Sequence, residues 1–379
     1  MVACDPYTGH LTSEAETVAV FRQAWVFVGM TTFAKKKNDF FSRRVGGESL
    51  ITRFDGNGFR SFINRCPHRG AQLFTDACGN GDLTCPFHGW HFNDEGMVSA
   101  IPFEKSKYCF DVEVRSKLRL EEVHTKTIGK FIFINLSEAP IDINDQLPQS
   151  IIDTLVEVSM VLDDSYSLSR IPAACNWKLL AEIVFDELHV PFVHANTFAK
   201  ILKYETNAKI DVDGNLHRDT YRPSMSFSKM KNLMLHKMSQ LSFSIGTANP
   251  QFKMEAWHDC VERFRDKNYY YDVFVFPNLH FISASGGFSF SYCAYFPEAV
   301  AATTVDYFFT TGRVKKPSQL IPIAHLESVR AGLTIYEEDI LMMENVQSAT
   351  NTRVFFPNHG SYESSIVKWR SFFREYCNG

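Results

Sequence analysis

Two short cysteine and histidine phrases are the feature that most constrains this chain. CPH occupies residues 66–68, CPFH occupies residues 85–88, and a glycine follows each phrase at positions 70 and 89. Two thiols and two imidazoles are sufficient ligands for a metal centre, and the glycines let the backbone bend around the sulfurs. The flanking text consists of short apolar runs separated by Gly46-Gly47 and DGNG, which is typical of hairpins. We therefore expect a strand-rich module that brings two loop tips together around a metal.

Two kinds of metal centre compete for these ligands. A structural zinc accepts two Cys and two His, but zinc fingers typically pair Cys with Cys and His with His. Here each loop supplies one of each, so in a two-iron centre each loop can give its Cys to one iron and its His to the other. Together with the tryptophan of HGW, this spacing favours a Rieske [2Fe-2S] cluster over zinc. The expected ligands are Cys66, His68, Cys85 and His88.

A second group of metal-binding residue types lies in NWKLLAEIVFDELHVPFVH, residues 176–194. Two histidines and a carboxylate form the facial triad of non-haem Fe(II) sites. His189 and His194 are five residues apart, about 140° around an ideal helix, so they do not share a face of a regular one. Because Pro191 removes an amide donor and clashes with the carbonyl of Glu187, we expect the helix to bend or break between the histidines. A hydrogen-bonded pair of core histidines is the alternative.

These motifs together resemble the Rieske non-haem iron oxygenases, in particular the terminal oxygenase (alpha) subunit. The Rieske phrases, D-x2-H-x4-H after NWK, and YEEDILMMENVQ at 336–347 carry the resemblance. The last motif is closest to the choline, betaine and carnitine oxygenase branch. The resemblance implies that His189, His194 and Asp339 bind the iron. It also implies that Asp186 is not a ligand but links a metal-bound His to a cluster-binding His of the neighbouring subunit.

Other carboxylates lie close to Asp339. Glu337, Glu338 and Glu344 are local rivals for the third ligand, and a charged, solvated helix face is the alternative for all of them. The chain also departs from the family, because Glu182-Ile183 stands where Glu-Asn commonly precedes the aspartate.

The expected fold class is α+β. The resemblance implies that an all-β Rieske domain, expected at 39–138, interrupts a helix-grip catalytic domain with an antiparallel sheet. The catalytic domain is expected to consist of an N-terminal helical part at 1–38 and the remainder at 139–379. Within 1–38, Ser13 and Glu16 at capping-box spacing predict a helix over Ser13–Phe27. Apolar runs such as YYYDVFVF and FSFSYCAYF predict the strands of the second sheet, and Pro317–Gln347 and Glu363–Tyr376 are predicted helices.

The resemblance implies an oxygenase that uses O2 to hydroxylate a small organic substrate, or to demethylate it at nitrogen or oxygen. An amine or quaternary ammonium compound is one candidate substrate. The implied cofactors are the [2Fe-2S] cluster and one mononuclear Fe(II). No G-x-G-x-x-G loop precedes a helix, so NAD(P)H serves indirectly through a separate reductase or ferredoxin. A cis-dihydroxylating aromatic-ring dioxygenase, a Rieske electron-transfer protein and a zinc-stabilised binding module are the alternatives.

Composition and charge indicate which classes of partner and which cellular compartment are expected. The net charge of −4 offers no basic field for a phosphate backbone, so no nucleic-acid partner is expected. No apolar run is long enough to span a membrane, and residues 1–9 lack the pattern of a secretory signal. Nine cysteines without a regular framework favour metal ligands or reduced thiols over a disulfide scaffold. We expect a cytoplasmic protein, and the resemblance implies a homotrimer.

Overall fold

The computed structural model describes residues 17–186, 188–198, 241–249, 252–350, 357–360 and 363–378. The chain divides into two compact units, one formed by Thr17–Ile143 and the other holding the described residues from Asn144 onward. Both are built on antiparallel sheets, and helices are added to the second. The predicted α+β class is confirmed.

Among its described residues, the first unit is mainly β-sheet. Its larger sheet has the order β1-β9-β8-β4-β3-β2-β5, and β6 and β7 form a small hairpin. One helix, α1 (Val112–Ser116), and short 3-10 and π turns connect the strands. The strands are β1 (Val26–Met30), β2 (Asp39–Val45), β3 (Glu48–Phe54), β4 (Phe59–Ile63), β5 (Cys78–Asn80), β6 (His91–Phe92), β7 (Val98–Ala100), β8 (Glu122–Ile128) and β9 (Phe131–Asn135).

The hairpin between β2 and β3 shows how local sequence sets this sheet. Val45 pairs with Glu48, so the turn consists only of Gly46 and Gly47. Both have positive φ, at 56° and 83°, as a two-residue hairpin turn of the twist-compatible type requires. The predicted hairpin at this position is confirmed.

The N-terminal edge of this unit lies earlier than residue 39. β1 pairs with β9, register Val26↔Ile134, and is therefore part of the same sheet as the strands after it. A π-helical turn, Thr17–Arg22, precedes it within the predicted first helix, while Ser13 and Glu16 lie outside the described residues. The structure thus places residues 17–38 in the unit that carries the cysteine and histidine loops.

The second unit contains a six-stranded sheet among its described residues, in the order β10-β15-β14-β13-β12-β11. The long strand pair β14 and β15 lies between β10 and β13, with Tyr292 opposite Phe308. The strands are β10 (Ser167–Ala173), β11 (Phe243–Ala248), β12 (Tyr269–Val275), β13 (Leu279–Ser283), β14 (Ser289–Ala299) and β15 (Ala302–Thr311). The helices are α2 (Ile143–Gln146), which straddles the division between the units, α3 (Gln149–Val161), α4 (Trp177–Glu182), α5 (Val190–Val193), α6 (Leu320–Thr350) and α7 (Ser364–Asn378).

Helix α6 is anchored to the start of α4 by two side chains. Oε1 of Gln347 accepts a hydrogen bond from the backbone N–H of Asn176 at 2.8 Å, and Oε1 of Glu344 accepts one from Ala174 at 2.7 Å. Asn176 then caps α4, since its side chain accepts from the N–H of Lys178. These bonds fix where α4 begins and hence where the segment that follows it runs.

No helix among the residues that the structure describes is long and apolar enough to cross a membrane.

Replacing Gln347 by Leu should destabilise the fold. The buried N–H of Asn176 would lose its acceptor, which lowers the free energy of unfolding by about 1–3 kcal/mol. Urea denaturation followed by circular dichroism measures the change. Asn345→Leu, on the exposed side of the same helix, is the matched control and should change stability by less than about 0.5 kcal/mol. Equal midpoints for the two variants would contradict the anchoring role of Gln347.

Candidate functional site

The two cysteine and histidine loops repeat one backbone pattern. The N–H of Gly70 donates to the carbonyl of Cys66 and that of Gly89 to Cys85, both at 2.9 Å. The cysteine N–H groups donate forward to Ala71 and Trp90, both at 2.8 Å. Gly70 and Gly89 have φ of 78° and 68°, the left-handed region that favours glycine. The loops are therefore two copies of one turn, each presenting a cysteine and a histidine.

The fold brings the two histidines of these loops together, and likewise the two cysteines. Cys66 and Cys85 are free thiols, both buried. The rings of His68 and His88 lie 4.6 Å apart between centroids, and Nδ1 of His88 is buried without a hydrogen-bond partner among the described residues. Trp90 stacks on His68 at 4.8 Å and an angle of 8°, which holds that ring in place.

The Cys66 thiol of this site holds its proton unless a metal displaces it. Burial raises the pKa of the Cys66 thiol to about 11, with a further rise from the adjacent Cys85. The backbone N–H groups of His68 and Arg69 face the sulfur and act in the opposite direction. A buried thiol pair of this kind is stabilised as thiolates only when metal supplies positive charge. Two adjacent cysteines and two adjacent histidines fit the ligand set of a Rieske cluster.

The segment between α4 and α5 turns where Asp186 leaves the helical conformation. A 3-10 turn, Ile183–Phe185, ends at Asp186, which has φ −104° and ψ 131°. Oδ1 of Asp186 accepts a hydrogen bond from the N–H of Leu188 at 2.8 Å, an Asx turn that stabilises this break.

The expectation of a break between the two histidines was wrong. His189 caps α5, and the N–H of His194 donates to Val190, so one continuous helical turn connects them. Pro191 lies in the first turn, where its missing N–H breaks no hydrogen bond. Glu187, whose carbonyl the prediction involved, lies outside the described residues.

His189, His194 and Asp339 come together in the folded chain, with one ligand atom of each inside a group no wider than 4.8 Å. Nε2 of His194 lies 2.8 Å from Oδ1 of Asp339, and Nε2 of His189 lies 3.6 Å from the same oxygen. Oδ1 nevertheless has no partner with acceptable hydrogen-bond geometry among the described residues. Two imidazole nitrogens and a carboxylate oxygen this close together fit a common metal ion.

Both imidazoles use their other nitrogen to contact a carboxylate. Nδ1 of His189 lies 3.1 Å from Oδ2 of Asp186, and Nδ1 of His194 lies 2.7 Å from Oε2 of Glu338. Thr197 also donates its hydroxyl to Glu338. A carboxylate that accepts the Nδ1 proton leaves the Nε2 lone pair for a metal and raises the basicity of the ring. Neutral imidazoles with Nε2 directed inward are the state that can bind a metal ion.

Glu338 is the residue whose place the sequence did not predict. The sequence indicates a rival ligand or part of a solvated face, whereas Glu338 is half-buried and bonded to a histidine 144 positions earlier. Its position next to Asp339 was the available signal, because consecutive helical residues can contact opposite sides of one ring. Of the other rivals, Glu337 is exposed and Glu344 bonds the backbone of Ala174.

The charges around the triad also indicate a cation. Burial lowers the pKa of His194, but its contacts with Asp339 and Glu338 outweigh this and raise it above the ordinary value. Burial raises the pKa of Asp186, but the hydrogen bond and charge of His189 outweigh this and lower it. Three carboxylates therefore surround two imidazoles, an excess of negative charge that a divalent metal would neutralise.

Comparison with known families assigns both units. Residues 24–119 match the Rieske [2Fe-2S] domain, and residues 157–376 match the catalytic domain of the ring hydroxylating alpha subunit.

Among curated relatives, the chain is 29% identical over 205 residues to the large subunit of anthranilate 1,2-dioxygenase from Acinetobacter baylyi, covering 52% of this chain and 42% of the relative. It is 29% identical over 195 residues to the oxygenase subunit of carnitine monooxygenase from Acinetobacter pittii, covering 50% and 51%. The matched regions thus span about half the length of these relatives.

Solved structures share the fold. The quaternary ammonium Rieske monooxygenase CntA in complex with L-carnitine superposes with a TM-score of 0.70 at 18% identity, covering 98% of this chain and 94% of that one. Naphthalene 1,2-dioxygenase from Rhodococcus sp. gives 0.70 at 16% identity, covering 98% and 93%. At these identities the likeness concerns the fold alone.

Replacing Glu338 by Gln should weaken iron binding without unfolding the chain. The neutral amide no longer stabilises the Nδ1 proton of His194, so the affinity for Fe2+ should fall about 10- to 100-fold. Anaerobic titration of the iron-free protein with Fe2+ measures the affinity. Glu337→Gln removes the same charge at the exposed neighbouring position and should bind iron like the parent. Unchanged affinity in both variants would show that Glu338 does not support His194.

Proposed function

Because the chain belongs to the ring hydroxylating alpha subunit family and carries a Rieske [2Fe-2S] domain, we propose that it is the terminal component of a multicomponent oxygenase. It receives electrons that originate from NAD(P)H through a separate reductase or ferredoxin. With O2 it monooxygenates a small organic substrate, by hydroxylation or by demethylation at nitrogen or oxygen. The observation that carries this proposal is the presence in one chain of both the paired loops and the triad.

Each set of side chains has a defined role. Cys66, His68, Cys85 and His88 hold the cluster, and His189, His194 and Asp339 hold one mononuclear iron. When bound, the cluster supplies single electrons and the iron supplies a site for O2 activation. Asp186 and Glu338 keep the Nδ1 protons on the two imidazoles, so that both rings stay oriented and neutral on the metal side.

The late motif favours monooxygenation over cis-dihydroxylation. EEDILMMENVQ resembles the quaternary-amine branch, and relatives include oxygenase subunits of carnitine monooxygenase and glycine betaine monooxygenase. An amine or quaternary ammonium compound is accordingly the proposed substrate class. The similarity to anthranilate 1,2-dioxygenase supports a ring-dihydroxylating enzyme as the second candidate. An electron carrier alone would not need the triad.

We propose that the active form is a ring, most simply a homotrimer that works in the cytoplasm. Head-to-tail contacts between identical subunits close into rings, and they can place the cluster of one subunit beside the iron of the next. In this arrangement Asp186 contacts His189 within its own subunit and the partner subunit's His88 across the boundary. Asp186 then acts in electron delivery.

Loss of one cluster ligand should remove the cluster and leave the mononuclear iron bound. Cys66→Ser or His88→Ala should abolish the visible absorbance of the cluster and all turnover, because each removes a ligand that the triad does not use. The iron content should fall from about three per chain to about one. Cys78→Ser removes an exposed thiol and is the control, with spectrum and iron content unchanged. A native Rieske spectrum in Cys66→Ser would refute the cluster assignment.

Asp186→Asn should slow electron delivery while both metals remain bound. Asparagine keeps the shape but replaces a charged acceptor, so steady-state turnover should fall at least about a hundredfold. The measurement is reoxidation of the reduced cluster with substrate and O2 present, with the assembly state checked by light scattering. Reoxidation at the parental rate would exclude Asp186 as the bridge. Loss of the mononuclear iron that excess Fe2+ does not restore would instead make Asp186 a ligand, since a carboxylate that only supports His189 should lower the affinity about 10- to 100-fold.

A further inference from the structure

A cavity of about 520 Å³ lies within the second unit, close to the triad. Phe198 lines it, and the ring of Phe198 is 6.2 Å from that of His194. Tyr336 also lines it and precedes Asp339 by one turn of α6. A cavity of this size holds a small organic molecule, and these two residues place one side of it beside the candidate iron site.

His258 is the feature of the cavity wall that points to a ligand. The side chain is only 2% exposed, and its ring stacks against Phe252 and Phe288 with centroids 5.4 Å and 4.4 Å away. Nδ1 accepts a hydrogen bond from the backbone N–H of Glu255 at 2.9 Å. An imidazole that accepts at Nδ1 carries its proton at Nε2.

Nε2 of His258 is buried and has no hydrogen-bond partner among the residues that the structure describes. Buried donors in folded proteins are nearly always paired, so an unpaired one on a cavity-lining residue calls for a partner, such as a ligand atom or a water, that the described residues do not supply. Ser285 and Ser289, whose hydroxyls also line the cavity, bond each other at 2.7 Å and so differ from His258.

The charge state of this donor limits what it can recognise. Burial lowers the pKa of His258 to about 4, despite the nearby carboxylates of Glu255 and Asp259. The imidazole is therefore neutral at physiological pH. The charged side chains among the described lining residues, Lys253, Glu255 and Glu327, are all exposed. The buried wall thus offers aromatic faces and small neutral polar groups, and the Nε2–H of His258 is one of its neutral donors.

We propose that His258 determines substrate specificity by donating its Nε2–H to a terminal carbonyl or carboxylate oxygen of the substrate. The remainder of the substrate is apolar or packs against aromatic rings. This inference rests on the proposed function, since it takes the cavity as the substrate site. The inference specifies the substrate class further, because its members must carry an acceptor oxygen at the end that binds His258. The aromatic rings of the wall can pack against a neutral substrate or against a quaternary ammonium group.

Two matched ligand pairs test the proposal in anaerobic calorimetric titrations of the metal-loaded protein. Acetophenone and ethylbenzene differ by a ketone oxygen, and γ-butyrobetaine and butyltrimethylammonium differ by a carboxylate. In at least one pair the acceptor-bearing member should bind about tenfold more tightly, and which pair does so distinguishes a ketone from an acid. Equal affinity within both pairs, or no binding of either acceptor-bearing member, would overturn the proposal.

Variants test whether His258 causes the preference for the acceptor-bearing ligand. His258→Phe keeps the stacking and should reduce the preference to less than about twofold, while His258→Gln restores a donor and should retain part of it. His325→Phe, outside the lining residues, is the matched control and should leave the preference unchanged. A preference that persists in His258→Phe would exclude His258 as the donor. An unchanged cluster spectrum and iron content show that each variant is folded.

These titrations involve no turnover, so they are independent of the test of the oxygenase itself. If the preference is found but no ligand accelerates reoxidation of the cluster by O2, the proposed function fails and the binding role of His258 stands. If reoxidation responds to ligands but the preference is absent, the oxygenase stands and the role of His258 fails.

Discussion

Two hydrogen bonds between carboxylates and imidazoles hold the candidate iron site in its arrangement. Asp186 binds Nδ1 of His189 and Glu338 binds Nδ1 of His194, at 3.1 Å and 2.7 Å. Each bond fixes both the rotation of a ring and the nitrogen that carries its proton. The Nε2 atoms can then converge on Asp339. Without these two hydrogen bonds, the imidazoles on a short loop and helix would rotate freely, and metal binding would have to offset the loss of that freedom.

Helix α6 organises the second unit around this site. Its residues Glu338 and Asp339 contact the histidine segment, and two turns later Glu344 and Gln347 bond the backbone just before α4. The same helix therefore holds both ends of the segment that supplies the two histidines. This explains the spacing of carboxylates and amide in EEDILMMENVQ, since the residues serve two anchoring points separated by helical turns.

The two metal-binding regions achieve rigidity by different means. In the first unit, two copies of one glycine-containing turn present the four candidate ligands, and Trp90 supports one of them by stacking. In the second, ligands from distant parts of the chain meet on a helix and a loop, and charged neighbours orient them. The cavity wall beside the triad adds a third arrangement, a neutral imidazole oriented by a backbone N–H.

Sequence alone predicted site residues where their chemistry and local spacing are distinctive. The loops at 66–68 and 85–88, the histidines at 189 and 194 and the aspartate at 339 belong to short motifs, and strand patterns predicted the antiparallel sheets. The roles of Glu338 and His258 and the true position of the helix break required the fold. Glu338 and His194 are 144 positions apart, and Pro191 is compatible with a helix only because α5 begins beside it. Local patterns encode ligand types and periodicity, whereas burial and hydrogen-bond partners depend on which distant segments pack together.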